Sequence, residues 1–416
     1  MLFSILGFDK QGLAYSPCCL EKNEKSAKSD RKSLFDLGIG KDAEKVVQDN
    51  TTFAVDLYQQ LRNQEGNLFF SPFSTSAALA MTYGGARSTT ATEMANVLHF
   101  NLPSEQFHAG FADILQNFEN YFSETLKIAN RIWVQKDYSL LDDFVALTRD
   151  RYQAPLAQLD LQNQPESSRQ TINHWVSQKT NEKIQEAISE GIINSLTRLV
   201  LTNVIHFKGL WASSFATENT QERPFQIDRD RWIDIPMMYH ERVFANYKEY
   251  PDLQVIELFY RNSPITMIIL LPREFGGLIQ LEEQVTVDNL RQWFLDLEDS
   301  ESASIEVFLP RFKMESDLLL KETLIEMGMP QAFGSQSDFS GINGDKSLYI
   351  QEVVHKAFID VNERGTEAGA STSVIVGTRG ITERHQFKAD RPFLFLLVDK
   401  FSNSILFMGR VTNPLE

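Results

Sequence analysis

Apolar residues first recur with helical spacing near Val46. Phe53, Leu57 and Leu61 then stand four positions apart and share one helical face. The pattern stops at the polar turn Asn63–Asn67. Leu68-Phe69-Phe70 is a short apolar run, and Ser71-Pro72 provides a cap followed by proline at the first helical position. The helix this opens, Phe73–Tyr83, is expected to end at Gly84-Gly85, as glycine past a last turn ends one. Ile172, Trp175, Val176 and Ile184 predict an amphipathic helix over Thr171–Lys183. Leu199–Phe207, Ile265–Leu271, Ile305–Leu309 and Phe393–Val398 are apolar and rich in β-branched residues, and long enough to be core strands. Helices and strands come in mixed runs without a βαβ rhythm, which favours the α+β class. The chain shows no internal repeat and no linker after residue 45, so one domain over 46–416 is expected behind an N-terminal extension, 1–45.

Charge narrows the choice of partner. The 56 acids and 40 bases of the 416-residue chain give a formal charge of −16. Nucleic acid and anionic membranes select for basic faces, so neither is expected as a partner. Cys18 and Cys19 are the two cysteines of the chain, which excludes a disulfide framework or a thiolate metal site in the fold. No apolar stretch reaches the roughly 18–20 residues of a membrane span. Met1–Phe8 is apolar but has neither a preceding basic region nor a following small-residue cleavage pattern, so it is not a convincing signal peptide. The sequon Asn50-Thr51-Thr52 is weak support for secretion. Glu21 to about Asp42, rich in Lys, Ser and Asp, reads as a solvated tail.

Catalytic motifs are missing. There is no G-x-S-x-G, H-E-x-x-H or C-x-x-C, and Gly341–Ser347 places Asp345 where a phosphate would sit, so it reads as a turn. His99, His174, His206, His240 and His385 have no carboxylate or second histidine at ligand spacing and read as surface or satisfied core residues. His355 lies in the apolar run Val353–Phe358, where a buried imidazole must find hydrogen-bond partners; a structural role is expected. Neither an enzyme, a metal site nor a cofactor is indicated.

The unusual segment is Asn362–His385. Its first half is Gly, Ala, Ser and Thr, and at period two it separates into a face of Thr366, Ala368, Ala370, Thr372, Val374 and Val376 and a face of Glu367, Gly369, Ser371, Ser373, Ile375 and Gly377. The first set suits burial as a strand, yet the segment is small enough to remain a loop, and an ordinary surface loop is the plain alternative. Gly377-Thr378-Arg379-Gly380-Ile381 then offers one long basic side chain between glycines. A protease whose specificity pocket holds a carboxylate would take such a residue.

Taken together, these motifs resemble the serpin family across about Val46–Pro414. The resemblance rests on Asn67–Ser74, Ile172–Val176, Thr202–Trp211, Leu309–Phe312, Asp338–Ile342, the hinge Val361–Ala368, and Asp390–Phe395. It implies three β-sheets, eight or nine helices and an exposed reactive loop. Counting as that family counts, the seventeenth residue from Glu363, inclusive, is Arg379. The resemblance therefore implies cleavage of Arg379–Gly380 by a trypsin-like serine protease, an acyl-enzyme, and insertion of the cut loop into the main sheet. Fourteen inserted residues would carry the loop end roughly 46 Å. The hinge Glu363, Gly365, Thr366, Glu367, Ala368, Gly369, Ala370 and Ser371 has no bulky or charged residue on the face to be buried.

The same resemblance assigns Ser71, Ser74, Asn203 and His355 to the cluster where the main sheet parts. It places Trp211 at the top of that sheet and pairs Glu363 with Arg311, for which an unimportant surface pair is the alternative. His206, Gln331 and Gly380 depart from the family pattern, none of them in the hinge. Glu105–Phe122 contains no Lys or Arg, so glycosaminoglycan activation is not expected. The resemblance implies a monomeric inhibitor acting outside the cell, with an intracellular role left open. A non-inhibitory member, acting as a carrier or chaperone-like binder, is the alternative.

Overall fold

In the computed structural model, residues 39–122, 125–180, 182–300, 302–366 and 385–416 are described. The first helix runs over Lys41–Leu61, so Lys41 and Asp42 belong to the fold and not to a solvated tail. Ala43, Val46 and Val47 are buried on it, ahead of the apolar run that starts at Phe53. Asn50 is also buried in this helix, which removes the sequon from the surface. Among the described residues nine α-helices have seven residues or more.

The helix Pro72–Tyr83 is buried on every side except at Tyr83. Such a helix belongs in a core, and its capping is internal: Ser71 Oγ accepts the Ser74 N–H at 3.1 Å. It stops at Gly84-Gly85 for a reason other than left-handed backbone, since Gly84 is right-handed with φ −55°. A Cβ at Gly84 would stand 2.2 Å from Leu147, and one at Gly85 2.2 Å from Ile342. Close packing demands these glycines. The second amphipathic helix is Pro165–Lys179, starting six residues earlier than its apolar pattern and ending before Lys183. Its first turn lacks large aliphatic or aromatic side chains and is held by Arg169 hydrogen bonds to Glu166 at 2.8 Å, so hydrophobic spacing could not mark it. Gly341–Ser347 holds a short helical turn over Ser340–Asn343, closed by left-handed Gly344, φ 88°.

Strands build the rest. One sheet runs in the order Ala157–Leu159, Leu126–Gln135, Leu199–Phe207, Glu352–Asn362, with Phe312–Leu319 on the far side of the last. Leu199–Phe207 and Glu352–Asn362 are parallel neighbours, in register from Val200↔Glu352 to His206↔Phe358. Every residue of Leu199–Phe207 is buried, as expected of a strand covered on both faces. The remaining strands meet along Arg231–Glu249, which at 19 residues is long enough to serve two sheets. Its end pairs with Leu253–Phe259, leading through Ile265–Pro272, Phe393–Asp399 and Ser404–Val411 to Leu68–Phe70. Its middle pairs with Ala303–Pro310 and its start with Gln221–Asp228. Gln386–Lys388 joins as a parallel strand on Ala303–Pro310. The four apolar runs read as core strands are all strands. Ile265–Pro272 and Phe393–Asp399 are buried at every position.

Candidate functional site

The site lies along the seam between the two parallel strands. At mid-height, His355 is fully buried opposite Asn203. Its Nε2 accepts the Ser71 backbone N–H at 3.0 Å. A backbone amide can only donate, so the ring proton sits on Nδ1, 2.5 Å from Asn203 Oδ1. The Asn203 amide donates in turn to the Ser74 carbonyl at 2.6 Å and to Asn130 Oδ1 at 2.5 Å. Burial, with a smaller contribution from the Lys356 charge, pushes the His355 pKa down to about 3. The imidazole is therefore neutral, and its partners in the buried helix below and in the strand opposite are satisfied only in that form. The structure brings together Ser71, Ser74, Asn203 and His355 as expected. It adds Asn130, from the next strand out, and Thr75, whose Oγ1 lies 3.5 Å from Nδ1. Neither was legible, because Asn130 meets Asn203 through a sheet register and not a motif.

At the upper end, the chain leaving Glu352–Asn362 doubles back as a two-residue strand, Gly365–Thr366. It pairs antiparallel with Val361 and Asn362 on one side and with Gly209 and Leu210 on the other. Since Gly209 follows the Leu199–Phe207 strand, Gly365–Thr366 is seated in the mouth of the seam. Backbone contact there is close: a Cβ on Gly365 would fall 2.0 Å from the Gly209 carbonyl oxygen, which only glycine avoids. Thr366 is fully buried, and its hydroxyl lies 2.6 Å from that of Tyr260. Trp211 stacks on Tyr260 with ring centroids 4.5 Å apart. It also ties down the return of the chain: its indole N–H donates to the Asn362 carbonyl at 2.9 Å and its backbone N–H to that of Arg364 at 2.8 Å.

Glu363 is not a surface acid. Its side chain is 6% exposed while that of Arg311 is 44% exposed. Burial opposes its ionisation, but hydrogen bonds from Thr220 (2.7 Å) and Arg311 outweigh this and hold the carboxyl below its usual range. The Phe215 N–H donates to the Glu363 carbonyl at 2.8 Å, so the acid is fixed by backbone as well. Tyr260, Thr220 and Phe215 escaped sequence reasoning, since each reaches the hinge across more than 100 residues of chain. Glu367, Ala368, Gly369, Ala370, Ser371, Arg379 and Gly380 lie outside the described residues, as do Met1–Phe8, Cys18 and Cys19.

Other histidines differ in detail from their sequence reading. His99 does have a carboxylate, Asp56 at 2.6 Å, brought across from the first helix. His108, which sequence reasoning passed over, is buried with Nδ1 2.6 Å from the Tyr152 hydroxyl; burial, aided by Arg151, lowers its pKa to about 4. Among the described residues no group of three or more His, Cys, Asp or Glu could hold a metal ion, and no helix is long and apolar enough to cross a membrane.

Residues 48–414 match the family model described as Serpin (serine protease inhibitor). The chain is 42% identical over 376 residues to the leukocyte elastase inhibitor of Bos taurus, covering 88% of this chain and 98% of that protein. It is 38% identical to human Serpin B3 over 385 residues, covering 88% and 98%. Among solved structures, Serpin48, described as a highly specific serpin of the insect Tenebrio molitor, superposes with a TM-score of 0.79 at 31% identity. That match covers 90% of this chain and all of Serpin48. Uncleaved ovalbumin superposes with a TM-score of 0.80 at 29% identity, over 89% of this chain and all of ovalbumin. The chain belongs to the serpin family, and both the family model and the bovine relative are named as inhibitors and not as enzymes.

Proposed function

We propose that the chain is a suicide-substrate inhibitor of trypsin-like serine proteases, with Arg379–Gly380 as the cleaved bond. The observation that carries this reading is the seating of Gly365–Thr366 in the mouth of a parallel seam. Extending that strand downward separates Leu199–Phe207 from Glu352–Asn362 and sets one antiparallel strand between them. One parallel ladder, of seven register pairs, is exchanged for two antiparallel ones. Each inserted residue gains backbone pairs on both sides, and antiparallel pairing is the slightly stronger kind. Opening the seam requires the His355–Asn203 bond to part, so that cluster gates the exchange.

In mechanism, the protease serine attacks the Arg379 carbonyl and the Gly380 amine leaves, giving the acyl-enzyme. The freed loop, Thr366 to Arg379, is drawn into the seam before water completes hydrolysis. The small residues after Thr366 suit rapid burial. The helix Ser104–Phe122 carries no Lys or Arg, which supports action without glycosaminoglycan, and the protein is read as a monomer. No cysteine lies among the described residues, so the fold is indifferent to the redox state of the compartment, extracellular or intracellular.

The relatives' names favour a second reading, with an elastase as target. An elastase accepts a small apolar residue, such as Val376, in place of arginine. Cleavage there would shorten the inserted strand by three residues, about 10 Å. Equimolar mixing with trypsin and with leukocyte elastase, followed by a denaturing gel and intact-mass analysis, separates the cases. A covalent band with trypsin and cleavage after Arg379 is expected. Trapping of elastase alone would select the second reading. Clean cleavage by both with full protease activity left would identify a non-inhibitory member.

A further inference from the structure

The segment Gln64–Phe69 faces the strand Phe312–Leu319 across a cavity of about 280 Å³. That strand pairs on one side with Glu352–Asn362, and no described strand pairs with its other edge, so carbonyls along it are left outside any ladder. Charge in the lining is of one sign. Glu65, Glu315, Asp317 and Glu416 contribute carboxylates, and no Lys, Arg or His stands among the described lining residues. Asp317 meets the buried Lys356 at 2.6 Å, whereas Glu65, Glu315 and Glu416 have no cationic partner among the described residues.

Ser316 is an independent sign of a missing partner. It lies in the lining and is 6% exposed, and its hydroxyl has no hydrogen-bond partner among the described residues. Buried hydroxyls are nearly always paired, and a donor within the cavity would pair this one. The walls are fixed in advance. Arg410 Nε donates to the Gly66 carbonyl at 2.9 Å and Nη1 to that of Arg62 at 2.6 Å, with Nη2 on that of Gln64. The Arg410 charge is itself met by Glu282 at 2.8 Å. Asn67 Oδ1 accepts the Thr412 and Asn413 amides at 2.7 and 3.0 Å, and the Asn413 side chain donates to Glu416 at 2.9 Å. A wall already ordered lowers the cost of binding.

We infer that this cavity binds a linear aliphatic polyamine, with its ammonium groups on Glu65, Glu315 and Glu416 and one ammonium N–H donating to Ser316 Oγ. The free edge of Phe312–Leu319 offers backbone carbonyls to the remaining donors. A spherical cation is the poorer fit. Among the described residues no three carboxylates converge closely enough to hold a metal ion, whereas a chain that spaces its charges can meet each one in turn. The lining is chiefly polar, which suits a ligand of several charges and not an apolar body.

Spermidine is the probe, titrated calorimetrically into the full chain. One saturable site is expected, with a Kd below about 1 mM that weakens as salt is added. The unfolding temperature should rise with spermidine concentration. Putrescine should bind severalfold more weakly and butylamine at least tenfold more weakly, and equimolar magnesium should not displace spermidine. Glu65→Gln combined with Glu315→Gln, both at exposed positions, should weaken spermidine at least tenfold. Ser316→Ala should weaken it severalfold without lowering the unfolding temperature of the free chain, since it removes an unpaired hydroxyl. Asp288→Asn, an equal loss of charge on the exposed side of the helix Val287–Asp299, should leave the affinity unchanged, which separates a site from general attraction to an acidic protein. No saturable binding below about 1 mM, parental affinity in the double glutamine variant, displacement by equimolar magnesium, or an equal loss in Asp288→Asn would each overturn the site. No protease enters these measurements, so their outcome is independent of the inhibitory reading.

Discussion

The hydroxyls of Tyr260 and Thr366 meet at 2.6 Å beneath the indole of Trp211, joining the end of a strand in the second sheet to the root of the loop in the first. Both residues are buried. Thr366 therefore occupies its place in the seam before any cleavage, and its neighbours are already those of an inserted strand. An arginine at this point would bring a charge into a buried site built around a hydroxyl pair with Tyr260, with no carboxylate recorded there to pair with it among the described residues. Thr366→Arg is expected to turn inhibition into plain cleavage. A denaturing gel with trypsin should show the cut chain and no band at the summed mass. A trapped complex at wild-type yield would mean that burial of Thr366 is not needed for insertion.

The same hydrogen bond can be weighed from the other side. Tyr260→Phe leaves the Thr366 hydroxyl in a buried place without that partner, at a cost of about 1–3 kcal/mol. Removing both hydroxyls, as in Tyr260→Phe with Thr366→Val, leaves neither group orphaned. The double variant should unfold in urea at higher concentration than the two single losses would sum to, with a coupling of about 0.5–3 kcal/mol. Simple additivity would show the two groups to be energetically separate.

His355 makes the stability of the seam depend on pH. Its pKa is about 3 in the folded chain against 6.5 for an ordinary histidine. The folded state thus holds the neutral ring while the unfolded chain takes up a proton below 6.5. The contribution is complete above pH 6.5 and is lost as pH falls from there towards 3. Between pH 7.5 and pH 5 it amounts to about 2 kcal/mol. His108, lowered to about 4, adds in the same direction, so the test is comparative. Urea midpoints at the two pH values should fall further in the wild-type chain than in His355→Gln. An equal fall in both would place the pH sensitivity elsewhere.

What could be read from the sequence was what is local. The continuous apolar run Leu199–Phe207 announces a core strand, and it is one. Ser71 was legible as a cap because its partner, Ser74, is three residues away. The rest is long-range. Asn130 finds Asn203, and Thr220 finds Glu363, through sheet registers fixed by the whole fold. The helix at Pro165 opens with a turn whose stability comes from Arg169 and Glu166, and no apolar period could reveal it. Gly84 and Gly85 were read for the right place and the wrong reason, since their role is to admit Leu147 and Ile342.

The choice of protease rests on one side chain. Arg379 lies sixteen positions beyond Glu363, and Glu363 is pinned by Thr220, Arg311 and the Phe215 amide, so the count starts from a fixed point. If arginine is the bait, its charge is paired with a carboxylate in the protease pocket, and truncating one partner of such a pair costs about 2–5 kcal/mol. Arg379→Val should lower the rate of trypsin inhibition by roughly 30- to 5,000-fold, the same energy expressed as a rate. It should leave the fold and the seam untouched, with urea midpoints as in the wild type. Because the pocket of an elastase accepts small apolar residues, the variant should also trap elastase faster than the parent does. The second-order rate constants of both proteins with both proteases form a single test. A crossed pattern, trypsin lost and elastase gained, places the reactive bond at Arg379–Gly380. Trypsin inhibition at the parental rate would move the bond to another residue and break the count from Glu363.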